Sequence, residues 1–196
     1  MRTIVLSLTL AMTAPAAADD DSGPKSDPKG VKLELAITSE KANYPPREGL
    51  SAEELKRAAE AGERLPKPPE VALKVVVKNT GDKLLQVWAK GDPVVLTLEL
   101  KGEGAVNLEP RLAFTREFRI PEAVEVAPGK SLEIPVKSLT SGFRGQSNYS
   151  YWTKPGEYTL VATFKTGVQP IPEGAKEQDG FGQVKLTSAP FKVKVK

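Results

Sequence analysis

From Val31 onward, apolar and polar residues alternate with a period of two. Val31, Leu33, Leu35 and Ile37 are separated by Lys32, Glu34, Ala36 and Thr38, the pattern of a strand with one buried face. Val71, Leu73, Val75 and Val77 repeat it and stop at the turn Asn79-Thr80-Gly81-Asp82. Further runs lie at Leu84–Ala89, at Val94, Leu96, Leu98 and Leu100, and at Leu112, Phe114, Phe118 and Ile120. Val124 and Val126 lead to the turn Pro128-Gly129-Lys130, after which Leu132, Ile134 and Val136 alternate with Glu133, Pro135 and Lys137. Pro135 cannot donate to a ladder, so that strand belongs at an edge or turns its amide side outward. Tyr158, Leu160, Ala162 and Phe164 follow Lys154-Pro155-Gly156-Glu157, and Val184, Leu186, Phe191, Val193 and Val195 complete the series. Lys192, Lys194 and Lys196, on one face of the last run, suit a strand guarding a sheet edge. Roughly eight runs, with turn signals about 8–12 residues apart, predict an antiparallel sandwich or barrel. A parallel sheet would need crossover helices, and only one helix is evident.

That helix is an insertion between the first two strands, near 52–63. Ser51 and Glu54 have the spacing of a capping box. Leu55, Ala58, Ala59 and Gly62 form a narrow apolar face, Glu53/Arg57 and Glu60/Arg64 are spaced for ion pairs, and Pro66, Pro68 and Pro69 prevent continuation. So small an apolar face predicts a helix resting shallowly on the sheets.

The first thirty residues follow a different pattern. Arg2, the apolar stretch Ile4–Met12 and the small residues Ala16-Ala17-Ala18 together read as a signal peptide over 1–18, cleaved after Ala18. The apolar stretch falls short of the roughly 20 residues that a helix needs to cross a bilayer. Residues 19–30, with no large apolar side chain, read as a flexible linker. The expectation is a secreted or periplasmic bacterial protein with no membrane span, whose β domain occupies 31–196.

Composition narrows the chemistry. The chain has 196 residues, 28 Lys+Arg, 25 Asp+Glu, and neither His nor Cys. Lack of Cys excludes disulfides, thiolate catalysis and Cys-based metal sites, and lack of His removes the commonest general base and metal ligand. A net charge of +3 is too small and dispersed to suggest nucleic acid. Gly129-Lys130-Ser131 resembles the end of a phosphate-binding loop, but Val124 occupies the required Gly position and a strand follows. Ser26-Asp27-Pro28-Lys29 has Ser–Lys spacing but lies in the linker. The glutamates alternate outward, as on a solvated face. No enzyme, cofactor or metal is expected. Asn148-Tyr149-Ser150 is a glycosylation sequon, read here as a chance match.

One segment is chemically dense. Phe143, Tyr149, Tyr151 and Trp152 fall within ten residues of a chain with only two Trp, four Tyr and six Phe, beside the Gly/Ser-rich stretch 141–147. With Arg144 and Asn148 they are the candidate binding residues, forming a stacking surface for a protein or glycan at the cell envelope. The alternative is that this segment folds back and plugs an open end of the sheets. A second long loop, Thr166–Gln183, carries Pro170, Pro172 and the turn Asp179-Gly180.

The run Leu73–Lys83 resembles the second-strand signature of bacterial immunoglobulin-like modules, and Val126–Leu132 followed by Lys154–Leu160 resembles their later strands. In order and spacing, from about residue 71 to 164, the nearest pattern is the BsuPI-like proteinase-inhibitor domain. The resemblance implies an immunoglobulin-like sandwich of about 7–9 strands, with Tyr158 as a tyrosine corner whose hydroxyl bonds nearby backbone. It carries over no inhibitory residue. The function expected is a non-catalytic binding module; the alternative is a proteinase inhibitor.

Overall fold

The computed structural model describes residues 30–46, 49, 51–109, 118–143 and 146–196. The expected signal peptide, residues 19–29 of the linker, Leu112, Phe114 and Arg144 lie outside the described residues. The described chain is all-β, with thirteen strands and one helix among those residues. The strands are β1 (Leu33–Ser39), β2 (Glu70–Asn79), β3 (Leu85–Lys90), β4 (Val95–Lys101), β5 (Ala105–Leu108), β6 (Glu122–Val126) and β7 (Ser131–Ser138). Then follow β8 (Thr140–Phe143), β9 (Gln146–Trp152), β10 (Gly156–Gln169), β11 (Glu177–Gln178), β12 (Phe181–Thr187) and β13 (Phe191–Val195). The helix α1 is Ala52–Glu60.

All strand pairs are antiparallel. One sheet has the order β1-β2-β7; Leu35 faces Val77, Ile37 faces Val75, and Pro135 of β7 lies opposite Lys74 at the sheet's edge. The larger sheet is organised around β10. Along one side of β10 lie β13 and then β12, along the other β4 and then β3. Between β12 and β13, Ser188 keeps the ladder closed: its amide donates to the Ala162 carbonyl and its Oγ accepts from the Ala162 amide. Tyr158, Leu160, Ala162, Phe164 and Val168 face the three-stranded sheet, and one continuous core joins them to Leu33, Leu35, Ile37, Leu73, Val75 and Val77. The alternating residues of the sequence are thus the facing surfaces of a sandwich. The terminal strand's edge has a guard besides its lysines. Tyr44 bridges to Val195, taking one hydrogen bond from Lys196 and giving another to Lys194.

Three expectations need correction. Phe118 and Ile120 lie outside any strand and are 61% and 80% exposed, because among the described residues the stretch is held only by the hydrogen bonds between Arg119 and Asp92, which build no ladder. The aromatic segment is not a loop but the hairpin β8–β9. The second long loop is half strand: β10 continues through Gln169, and Asp179-Gly180, both at positive φ, turn β11 into β12.

The outer face of the larger sheet holds a contact that the alternation hid. Gly167 of β10 lies under the ring of Trp88, which is 3% exposed and stacks on Phe181 at 4.7 Å. A Cβ on Gly167 would stand 2.4 Å from Trp88 Cε3. Gly167→Ala should therefore destabilise the fold by about 1–3 kcal/mol, the usual cost of overpacking. Urea titration of Gly167→Ala, Trp88→Leu and the double variant checks this. The double variant should be less destabilised than the sum of the singles, and strict additivity would exclude the clash.

Candidate functional site

The aromatic hairpin has two buried sides. Side chains alternate across a strand, so Tyr149 and Tyr151 of β9 face one way, and Asn148, Ser150 and Trp152 the other. Trp152 enters the main core at 2% exposure, 5.7 Å from the Tyr44 ring and 6.4 Å from Tyr158, and its Nε1 donates to the Pro45 carbonyl. Tyr151 is fully buried in a second, small core with Leu55 of α1 and Val106 of β5, and its hydroxyl donates to the Pro66 carbonyl at 2.7 Å. Both rings fill interior space. Half-buried Asn148 lies opposite Ser141 in the ladder, and Phe143 ends β8 opposite Gln146. The five described candidates therefore do not converge on one surface.

Polar side chains explain why this hairpin was hard to read. The sheet β5-β9-β8 joins β4 through side chains rather than a backbone ladder. Asn107 accepts from the Leu100 amide through Oδ1 and donates to the Leu100 carbonyl through Nδ2, mimicking a strand. Ser141 Oγ accepts from the Leu98 amide, and Ser150 Oγ donates to Asn107 Oδ1 at 2.7 Å.

Tyr149 is the exception among the aromatics. It is half-buried at the mouth of a groove with a volume of about 980 Å³, between the end of α1 and the two sheets' neighbouring strand ends. Local sequence builds this groove. The capping box starts α1: Ser51 Oγ accepts from the Glu54 amide and the Glu54 carboxylate accepts from the Ser51 amide. Hydrogen bonds from the Ser51 hydroxyl and amide hold the Glu54 carboxyl below its usual pKa. Gly62, at φ 71°, ends the helix in a Schellman motif, with Gly62 N–H bonding Ala59 O and Glu63 N–H bonding Ala58 O. Pro66, Pro68 and Pro69 then hold the chain extended, so Arg64, Leu65 and Lys67 form one side. Lys137, Ser138 and Thr140, where β7 passes into β8, line it as well, with Lys41 and Val71.

The lining is rich in donors. It has four cations, Lys41, Arg64, Lys67 and Lys137, and two carboxylates, Glu63 and Glu70. Lys41, Arg64 and Lys137 form no ion pair with any described residue. Lys74 on β2, by contrast, is held by Glu133 and Glu40, and those contacts raise its pKa, Glu133 having the larger effect. The Tyr44, Tyr151 and Tyr158 hydroxyls are all hydrogen-bonded within the protein. Tyr149's hydroxyl has no such partner among the described residues. No family model matches this sequence, and no curated protein sequence matches it significantly.

Of the groove residues, the sequence marked Tyr149 alone as a binding candidate. The others come from the turn after β1, a helix end, a proline segment and the ends of β2, β7 and β8, far apart in the chain and in no shared period. Among the described residues no group of His, Cys, Asp and Glu could hold a metal ion, and no helix is long and apolar enough to cross a membrane.

Proposed function

We propose that this protein is an exported, non-catalytic binding module that takes its partner into the groove beside α1. One observation carries the reading: a concavity of about 980 Å³ is lined by Lys41, Arg64 and Lys137, which form no ion pair with a described residue, and by Tyr149, whose hydroxyl has no hydrogen-bond partner among those residues. Its volume falls within the roughly 300–1,000 Å³ of small-ligand sites. The immunoglobulin-like form of the sandwich belongs to the same proposal. It is supported by Tyr158, whose hydroxyl donates to the Lys154 carbonyl four residues upstream at 2.7 Å, as a tyrosine corner would. Burial pushes the Tyr158 phenol pKa up, so the donating form persists.

The test is an array of immobilised glycans and peptides, probed with the native chain and with Tyr149→Ala and Arg64→Gln, each checked for an unchanged melting midpoint. Ligands held by the native protein should be lost on both variants. Equal retention by all three would overturn the groove as the binding site.

A second reading, a proteinase inhibitor, rests on a different place. Arg119 is fastened to Asp92 by two hydrogen bonds, Arg119 N–H to Asp92 Oδ2 at 3.0 Å and Asp92 N–H to Arg119 O at 2.9 Å. The exposed Phe118 and Ile120 flank it, as apolar residues on a fixed backbone would be offered to a protease cleft. Stoichiometric inhibition of one protease in a panel, lost in Phe118→Ala or Ile120→Ala, would support this reading; no inhibition across serine, cysteine and metalloproteases would remove it.

A further inference from the structure

The geometry points to a carboxylated oligosaccharide as the groove's ligand, a proposal that rests on the groove being the binding site. Lys41, Arg64 and Lys137 supply positive charge not spent on internal ion pairs, which calls for an anion. Ser138, Thr140 and Tyr149 add hydroxyls that donate or accept, and the lining's cations outnumber its carboxylates four to two. A uronic-acid chain fits that imbalance. Its carboxylates and ring oxygens accept, and its hydroxyls can donate to Glu63 and Glu70, the two carboxylates present. The half-buried Tyr149 ring gives the apolar face of a sugar something to stack on.

An acidic peptide fits less well. It would bring one N–H for every backbone carbonyl, and the backbone where β2 meets the end of β7 is already engaged. Glu70 is already paired with Ser138, and the Leu139 amide already donates to the Pro69 carbonyl. Among the lining side chains, two carboxylates are few acceptors for the amides of such a chain.

Calorimetric titration of the native chain with short oligogalacturonates, their methyl esters and poly-glutamate separates the possibilities. The free acid should bind, weaken as salt is raised, and exceed its methyl ester by about tenfold or more, since esterification removes the charge that the cations recognise. Arg64→Gln and Lys137→Gln, at exposed positions, should each weaken binding without moving the melting midpoint. Tyr149→Ala should weaken it by about tenfold or more and Tyr149→Phe by less, because the phenylalanine keeps the ring. No binding of the free acid, equal binding of the ester, or tighter binding of poly-glutamate would overturn the sugar assignment. Poly-glutamate binding that the groove substitutions abolish would leave the groove itself standing. Oligogalacturonate binding indifferent to all four substitutions would overturn both.

Discussion

Replacing Trp152 by alanine should cost about 3–5 kcal/mol of stability, the range for truncating a buried Trp. The ring is 2% exposed, with Tyr44 and Tyr158 close beside it, and its Nε1 is bonded to the Pro45 carbonyl at 3.2 Å. Truncation opens a cavity beside Tyr44 and Tyr158 and leaves the Pro45 carbonyl without its donor. For a chain of this size each kcal/mol corresponds to about 2–4 °C in the melting midpoint, so the shift is easily measured. Trp152→Phe should lose less, keeping most of the ring while giving up the hydrogen bond. Because Trp152 projects to the opposite side of β9 from Tyr149, Trp152→Phe should leave ligand capture in the groove unchanged. A loss of stability below about 1 kcal/mol for the alanine variant would mean that the ring does not fill core space.

Trp152 also shows where the sequence was readable and where it was not. Strands with one wet face announce themselves: β1, β2, β4, β7, β10 and β13 were all visible as alternations, because solvent demands polar residues at every second position. The capping box at Ser51 and Glu54 was visible for an equally local reason. The strand β9 is covered on both faces, by the main core on the Trp152 side and by α1 on the Tyr151 side. Its sequence therefore has aromatics at both parities, with Ser150 between them hydrogen-bonded through its side chain to Asn107 and Leu98. In a linear reading such a segment looks like a polar, aromatic-rich loop. Phe118 and Ile120, the described part of another expected run, erred the other way, since apolar spacing alone does not provide a partner strand. The groove was the least legible feature, as its lining joins residues from positions 41 to 149 that only the tertiary fold brings together.

The second large effect is expected at Asn79, which the sequence marked only as the start of a turn. Asn79 ends β2 fully buried and uses three of its amide's hydrogen-bonding capacities. Nδ2 donates to the Lys83 carbonyl at 2.7 Å and to the Val126 carbonyl at 2.8 Å, and Oδ1 accepts from the Gly81 amide at 3.0 Å. Its backbone continues the link, donating to Lys130 O and accepting from Gly129 N–H. One side chain thus shapes the turn into β3, fixes the end of β6 and ties the larger sheet to the smaller. Asn79→Ala strands these groups and should cost about 2–4 kcal/mol, most of it from the buried Val126 carbonyl. Asn79→Asp is the sharper test. It keeps the acceptor for Gly81 but sets an oxygen against two carbonyl oxygens, which favours the protonated carboxyl and raises its folded-state pKa. The unfolded chain releases that proton near about pH 3.9, while the folded chain holds it to a higher pH. Stability relative to the native protein should therefore be best retained below about pH 3.9, fall as pH rises through the folded-state pKa, and stay low at neutrality. Denaturant midpoints of the native and Asp proteins between acid and neutral pH measure that difference. A difference that does not change with pH would mean the Asn79 side chain is not the buried donor to Lys83 and Val126.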